Sequence, residues 1–303
     1  MIVAEVAFWS SLGALVWTHI AYPMVARVLA RVHERGVRRS EDELPVVAVI
    51  VTAHNEESVI GRRLENLRSL DYPADRLELV VASDGSTDAT ETIAAGAGAA
   101  VVRNERGGKV AAQDNAVRGT TANVVAFTDA NCTWATDALR KLVRSFVDPD
   151  IAYVCGRLNI TGGDGRNKEG VYWRYELALR ADESRIDSVT GGNGSIYAVR
   201  RSDYVEVDPR FGHDLSFPYL MVQRGRRAVY DADANAYEKA TPSTEDEYRR
   251  KVRMFEHCWA IVVEGKMLRG LRPVYWLEVF SHRHLRYASG LLHLILLASS
   301  IAL

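Results

Sequence analysis

The chain has 303 residues, 48% hydrophobic and 25% charged, with a formal net charge of -1. That is material for one large domain or two small ones, and the near-neutral balance argues against nucleic acid or a strongly acidic partner. Three widely separated cysteines, Cys132, Cys155 and Cys258, show neither CxxC nor metal-ligand spacing, so a reduced, cytosol-facing body is the simpler inference.

From Val6 to Ala26 the chain runs for 21 residues without Asp, Glu, Lys or Arg. A helix of that length rises about 32 Å against a hydrocarbon core of about 30 Å, so the stretch reads as one membrane span. Positive charge follows the run, as Arg27, Arg31, Arg35, Arg38 and Arg39, whereas a signal peptide carries it in front. By the positive-inside rule the remainder lies on the cytoplasmic face of the inner (plasma) membrane. Thr18, His19 and Pro23 interrupt the apolar run and keep a buried core helix as the alternative.

Beyond a polar linker at Ser40 to Glu43, strands and helices alternate. Val46 to Val51 reads as a strand, and Glu57 to Leu70 as a helix with Ile60, Leu64, Leu67 and Leu70 at helical spacing. Leu77 to Val81 is a second strand, running into Ser83, Asp84, Gly85 and Ser86, with Ser86 expected to cap a helix over Thr87 to Ala95. A short strand at Ala99 to Val102 and a helix at Lys109 to Val117 lead to Val124 to Phe127, an uninterrupted apolar strand of the kind buried on both faces. This alternation predicts an α/β fold with a doubly wound, mostly parallel sheet.

Three strand ends then converge on one sheet edge, where open α/β sheets bind ligands. They bring Thr52, His54, Asn55 and Glu56, then Asp84 and Ser86, then Asp129 and Asn131. Polar and acidic groups at every exit favour a nucleotide site over separate structural caps. The hard oxygen donors of Asp129 and Asn131 suit a divalent cation that holds phosphate oxygens. Lys109, after Arg106, Gly107 and Gly108, places a cation against a helix dipole, for which an anionic ligand is one explanation and a solvated loop lysine, the commoner case for a lone GGK, the other.

Farther on, Asp233, Ala234 and Asn235 repeat the DAN triplet without a buried strand to feed it, and read as a turn. Ser243 to Gly265 is compatible with a charged helix. Leu271 to Tyr287 mixes aromatics with Arg283 and Arg286, as an interfacial or a core-packing helix would. The final run, Ala288 to Leu303, gives about 24 Å, short of a full span. The expected divisions are a span and basic linker over 1–40, a catalytic domain over 41–265 and a membrane-associated segment over 266–303.

The ordered set VIVTAHNEE, VVASDGSTDAT, GGK and FTDAN continues through YWRYELALRADES (Tyr172 to Ser184), GGNGSIYAVRR (Gly191 to Arg201) and YEKATPSTEDEYRRKVRM (Tyr237 to Met254). It resembles the family 2 glycosyltransferases of GT-A fold, in particular membrane-anchored bacterial enzymes akin to the polysaccharide synthases. The resemblance implies an inverting transfer of a sugar from a nucleotide donor, UDP-linked or similar, to a membrane-associated lipid or glycan acceptor, with Mg2+ or Mn2+ as cofactor. Asp84 would hold the base or ribose, helped by Thr52 and Glu56. Asp129 with Asn131 would stand at the family's DxD position, here with Asn where a second Asp is usual. Gly191 to Ser195, including Gly192, Asn193 and Gly194, would lie near the sugar or acceptor, with His213 in a position that is usually acidic. Asp214 matches the catalytic base; a helix cap is its plain alternative. Arg253 would meet the diphosphate, whereas Met254 replaces the aromatic platform of the processive enzymes. A processive synthase and a nucleotide-sugar-binding regulator on the same fold are the rival readings.

Overall fold

The structure, a computed structural model, describes residues 1–161, 170–239 and 244–303, without the side chains of residues 244, 246, 247, 250 and 253. The first element is a continuous helix over Ile2–Val32, the one described helix long and apolar enough on its own to cross a membrane. It consists of α1 (Ile2–Val16), a π-helical turn at Trp17–Ala21 and α2 (Tyr22–Val32). The wide turn precedes Pro23, whose ring and missing N–H do not fit a regular helix interior. Val3, Val6, Trp9, Val16 and Ile20 stand exposed along it, unlike the packed face of a core helix.

The alternating region folds as β1 (Val47–Ala53), α3 (Ile60–Arg68), β2 (Leu77–Asp84), α4 (Thr90–Gly96), β3 (Ala100–Asn104), α5 (Lys109–Arg118) and β4 (Val124–Asp129). Strands β3, β2, β1 and β4 lie side by side in parallel, with Val49 of β1 opposite Leu79 and Ala126. Successive residues of β1 serve opposite faces. Val47, Val49 and Val51 pack with Ile60, Leu64 and Leu67 of α3, whereas Ala48 and Ile50 pack with Ala112 and Ala116 of α5.

The chain continues through β5 (Thr133–Trp134), α6 (Ala138–Val143), β6 (Ile151–Thr161), α7 (Val171–Ile186), β7 (Tyr197–Arg200), α8 (His213–Gln223) and β8 (Arg227–Lys239). The complete sheet has the order β3-β2-β1-β4-β7-β6-β8-β5, with β7 antiparallel to both its neighbours. The second DAN triplet, Asp233 to Asn235, lies within β8 and forms no turn; the alternation of Ala234 and Ala236 inward with polar neighbours outward is that of a half-buried strand.

Next come α9 (Thr244–Glu264), α10 (Pro273–Val279), a second π-helical turn at Phe280–His284, α11 (Leu285–Tyr287) and α12 (Ser289–Ala302), which bends by 62° from the preceding helical stretch and packs along α1. The amino-terminal helix is tied to the α/β body as well. Tyr22, Ala26 and Ala30 pack on Leu179 and Ile186 of α7, and the Tyr22 hydroxyl donates to Glu183 Oε1 at 2.7 Å.

Candidate active site

The three strand ends meet at the carboxyl edge of the sheet, and much of their polar chemistry is spent on holding that edge together. His54 Nδ1 lies 2.8 Å from the Asp84 carbonyl oxygen, and Asn55, in the left-handed region at φ 56°, accepts the Thr87 N–H at 2.8 Å. Ser86 does not cap a helix: its Oγ accepts the Asn55 N–H at 3.2 Å, and α4 begins only at Thr90, whose N–H is taken by Asp88 at 3.0 Å. Thr52 sits at the same edge, opposite Ala82 and Asp129.

Asp84 is 5% exposed, and its Oδ1 accepts the N–H groups of both Gly107 and Gly108 at 2.8 Å. Oδ2 faces Arg106 Nη1 at 3.4 Å. The carboxylate is therefore the anchor of the Arg106–Gly108 loop. That closeness requires glycine at position 85, where φ is +66° and a Cβ would stand 2.9 Å from the Arg106 nitrogen.

The anchored loop delivers Lys109, the first residue of α5, to the end of β4, where its ammonium pairs with the Asp129 carboxylate. Around this pair stand groups from the turns after β4 and before β7 and from the end of β8. Ser195 Oγ lies 3.4 Å from both Asp129 Oδ2 and Glu238 Oε2, and Asn131 Nδ2 is 3.4 Å from Glu238 Oε1. Ser195 is fixed through its carbonyl oxygen, which accepts Trp134 Nε1 and the Thr128 hydroxyl, each at 3.0 Å. Burial alone would lower the pKa of Lys109, but the carboxylates of Asp129, Asp214 and Glu238 outweigh it and hold the ammonium above its ordinary range. Burial, then the nearby charges of Asp129 and Asp88, raise Glu56 above the usual carboxylate value.

This donor set fits a hard divalent ion: two carboxylates, an amide and a hydroxyl converge on the position that a lysine cation now neutralises. The partial oxygen shell is what a Mg2+-type site needs when phosphate oxygens complete it. Glu238, at the end of β8, is a member of this cluster that sequence reasoning did not single out, and Ser195, expected near the sugar or acceptor as part of Gly191 to Ser195, joins it beside Asp129. Their signal was present, in YEKA and GGNGS, but only the chain path brings those motifs to Asp129.

Asp214 lies in the first turn of α8 behind the cap residue Gly212, and so is not itself the cap. Its Oδ1 would stand 2.5 Å from a Cβ at position 212. Its backbone carbonyl accepts the Gly192 N–H at 2.7 Å. Among the described residues the half-buried carboxylate has no hydrogen-bond partner.

Two residues expected beside the sugar or acceptor are committed elsewhere. His213 is 3% exposed, enclosed by Phe127, Tyr204 and Phe217, with Nδ1 at 3.2 Å from the Tyr197 hydroxyl; adjacent positions on a helix point about 100° apart, and Asp214 takes the cleft side. Asn193 spends its side chain on backbone, donating to the Gly156 oxygen at 2.7 Å and accepting the N–H groups of Ser195 and Ile196. Of the neighbouring glycines, Gly194 lies beside Lys109, whereas Gly192 backs onto the buried Tyr153. A Cβ on Gly192 would fall 1.9 Å from the Tyr153 hydroxyl, and one on Gly194 would be 3.2 Å from Lys109 Nζ. Arg253 belongs to α9, and its side chain lies outside the described residues.

Comparison with known proteins follows this geometry. Residues 48–207 match the glycosyl transferase family 2 model. The chain is 32% identical over 170 residues to a beta-monoglucosyldiacylglycerol synthase of Synechocystis, an alignment covering 50% of this chain and 33% of the relative. It is 26% identical over 287 residues to an N-acetylglucosaminyltransferase of Rhizobium meliloti, covering 84% and 67%. The matched part thus spans a third of the first relative's length and about two thirds of the second's. Among solved structures, the mannosyltransferase PcManGT of Pyrobaculum calidifontis, in complex with GDP-Man and Mn2+, superposes with a TM-score of 0.78 at 24% identity, over 99% of this chain and 87% of that one. Glucosyl-3-phosphoglycerate synthase of Mycobacterium tuberculosis, with Mn2+, UDP and phosphoglyceric acid, gives 0.51 at 22% identity over 76% and 84%.

Proposed function

The chain belongs to glycosyl transferase family 2 and has the GT-A fold, and from that premise we propose that it transfers a sugar, with inversion, from a UDP-linked donor to a hydroxyl of a membrane-associated lipid or glycan acceptor. The observation that carries this reading is the layout of charge about Lys109. Asp129 and Glu238 meet it at the strand ends, while Asp214 acts on it from α8 with a carboxylate that no described residue engages.

In this reading the donor diphosphate lies along Gly107–Lys109 and Asp129, and the acceptor approaches over Gly192. The Asp214 carboxylate takes the proton of the acceptor hydroxyl as its oxygen bonds to the anomeric carbon; the bond from that carbon to the diphosphate oxygen breaks, and the electron pair leaves with the nucleotide. The Lys109 ammonium takes up the charge left on the diphosphate. A Mg2+ or Mn2+ ion, when held by Asp129, Asn131 and Glu238, supplies further positive charge against the same oxygens. The relatives crystallised with Mn2+ and a GDP- or UDP-linked group support this choice of ligand.

Residues 1–40 serve as span and basic linker, 41–265 as the cytoplasmic catalytic domain and 266–303 as a membrane-associated segment. The exposed apolar faces of α1 and α12 support this assignment, as does the diacylglycerol named in a relative's activity. The decisive experiment incubates the full chain, in phosphatidylcholine nanodiscs, with labelled UDP-glucose, UDP-N-acetylglucosamine and GDP-mannose and a bacterial lipid extract. Label in short, lipid-extractable products supports the proposal. A long glycan indicates a processive synthase instead, and UDP binding with no turnover of any donor indicates a binding regulator.

A further inference from the structure

The helical stretch after residue 272 does more than pack. Its π-helical turn, Phe280–His284, faces the π-helical turn of the amino-terminal helix: Trp17 Nε1 donates to Ser281 Oγ at 2.9 Å and the Thr18 hydroxyl to the Ser281 carbonyl oxygen at 2.7 Å. Single π turns within helices re-aim side chains and concentrate at functional sites. Here the turn directs two consecutive residues into the α/β body. His282 is buried between Glu183 at 2.7 Å and Glu176 at 3.0 Å. Arg283 Nε donates to the carbonyl oxygen of Thr190 at 3.2 Å and to its hydroxyl at 3.0 Å, and Nη1 reaches the Tyr287 hydroxyl at 3.3 Å.

Arg283 Nη2 then lies against Gly191, where a Cβ would stand 2.5 Å from it. The next residue, Gly192, donates its N–H to the Asp214 carbonyl oxygen at 2.7 Å and accepts Arg180 Nη2 at 3.2 Å. Thr190, Gly191 and Gly192 are therefore each gripped, two of them by the same guanidinium. Among the described residues Arg283 forms no ion pair with a carboxylate, although removing a guanidinium from water is costly unless its N–H groups are used. Here Nε is used on the carbonyl and hydroxyl of Thr190 and Nη1 on the hydroxyl of Tyr287.

We propose that Arg283 is a positioning residue for the acceptor half of the reaction: it fixes the Thr190–Gly192 segment, whose Gly192 N–H in turn holds Asp214 at the cleft. This rests on the reading of Asp214 as the base. The two facing π turns then make the membrane-side helices part of the active site's scaffold, with Arg283 as the link. A misplacement of the order of 1 Å in such a constellation costs about 100-fold in rate.

The test compares the full chain with Arg283→Gln and Arg283→Lys in phosphatidylcholine nanodiscs. Hydrogen exchange over residues 190–195 requires no substrate; it is expected to quicken about tenfold in Arg283→Gln and less in Arg283→Lys, with β1 and β4 unchanged. With UDP-glucose as donor and dioleoylglycerol as acceptor, kcat for transfer should fall about 100-fold in Arg283→Gln and recover about tenfold in Arg283→Lys, while the UDP dissociation constant stays within about twofold of wild type. Unchanged exchange at 190–195, equal acceleration throughout the chain, wild-type kcat in Arg283→Gln, or UDP affinity falling in step with kcat each overturns the proposal. Asp214→Asn, measured alongside, tests the base separately: full activity there removes that reading and leaves the exchange result to stand.

Discussion

Lys109 and Asp129 form an ion pair between the first residue of a helix and the last residue of the central strand, so the positive charge of the cleft is fixed before any ligand arrives. With Lys109→Met, UDP affinity should fall by about 10- to 100-fold, the scale of a lost charge-assisted hydrogen bond. Titration calorimetry with UDP, with and without Mn2+, measures it.

Asp129→Ala should weaken both Mn2+ and UDP binding, and Asn131→Asp should tighten Mn2+ by adding a charge to the same oxygen cluster. Turnover is expected to stop in excess chelator and to return with Mn2+. Full activity in chelator would assign the diphosphate charge to protein cations alone.

Asp214→Asn keeps the shape of the α8 turn and removes the proton acceptor. Transfer should slow by about a hundredfold to ten-thousandfold, with UDP affinity held within about twofold of wild type. Single-turnover measurement at saturating donor separates the two quantities.

Gly192→Ala should destabilise the fold by about 1 to 3 kcal/mol, because the new methyl overlaps the Tyr153 hydroxyl. Among the described residues that buried hydroxyl has no hydrogen-bond partner. Tyr153→Phe alone should therefore be neutral or stabilising, and in the double variant it should recover part of the loss. Denaturant midpoints of the four proteins test the cycle.

The raised pKa of Glu56 means that the folded protein binds its proton more tightly than the unfolded chain does. Stability from this group therefore increases as pH falls through the raised value and levels off below the ordinary carboxylate value of 4.5. Glu56→Gln should accordingly melt higher than wild type at pH 7, and the difference should close as the pH drops toward 4. Thermal scans across that range would show a constant difference if Glu56 were not strained by burial and by Asp129 and Asp88.

The parallel half of the fold was legible because strands buried on both faces leave long apolar runs and their exits leave short polar clusters. Thr52, Asp84 and Asp129 were placed at the sheet edge in that way, and Lys109 from the glycine turn at a helix start. The other half follows a subtler code. β8 alternates, and its outward polar residues made Asp233 to Asn235 look like a turn. Asn193 and His213 sit beside cleft residues in sequence, but which way each side chain points depends on backbone carbonyls and aromatic rings supplied from β6, β7 and α8. Glu238 became visible only when the end of β8 paired with β5, the short strand just after Asp129 and more than a hundred residues away in sequence. Arg283 was legible only as a cation of an aromatic-rich helix, since its partner, the Thr190 carbonyl, has no sequence signature.

The Tyr22 hydroxyl on Glu183 has a practical consequence for anyone seeking a water-soluble fragment of this enzyme. Cutting the chain after residue 40 removes the donor to a fully buried carboxylate, strips Leu179 and Ile186 of their cover and deletes the guanidinium of Arg35 from Asp187, 2.7 Å away. The lost hydrogen bond to a buried charge alone is worth about 1.5 to 3 kcal/mol. Such a fragment would bare an acidic, apolar scar on α7, a face prone to self-association, and would need a detergent micelle or a redesigned surface there to stay monodisperse. The first 32 residues behave less as a detachable leash than as a buttress of the domain they precede.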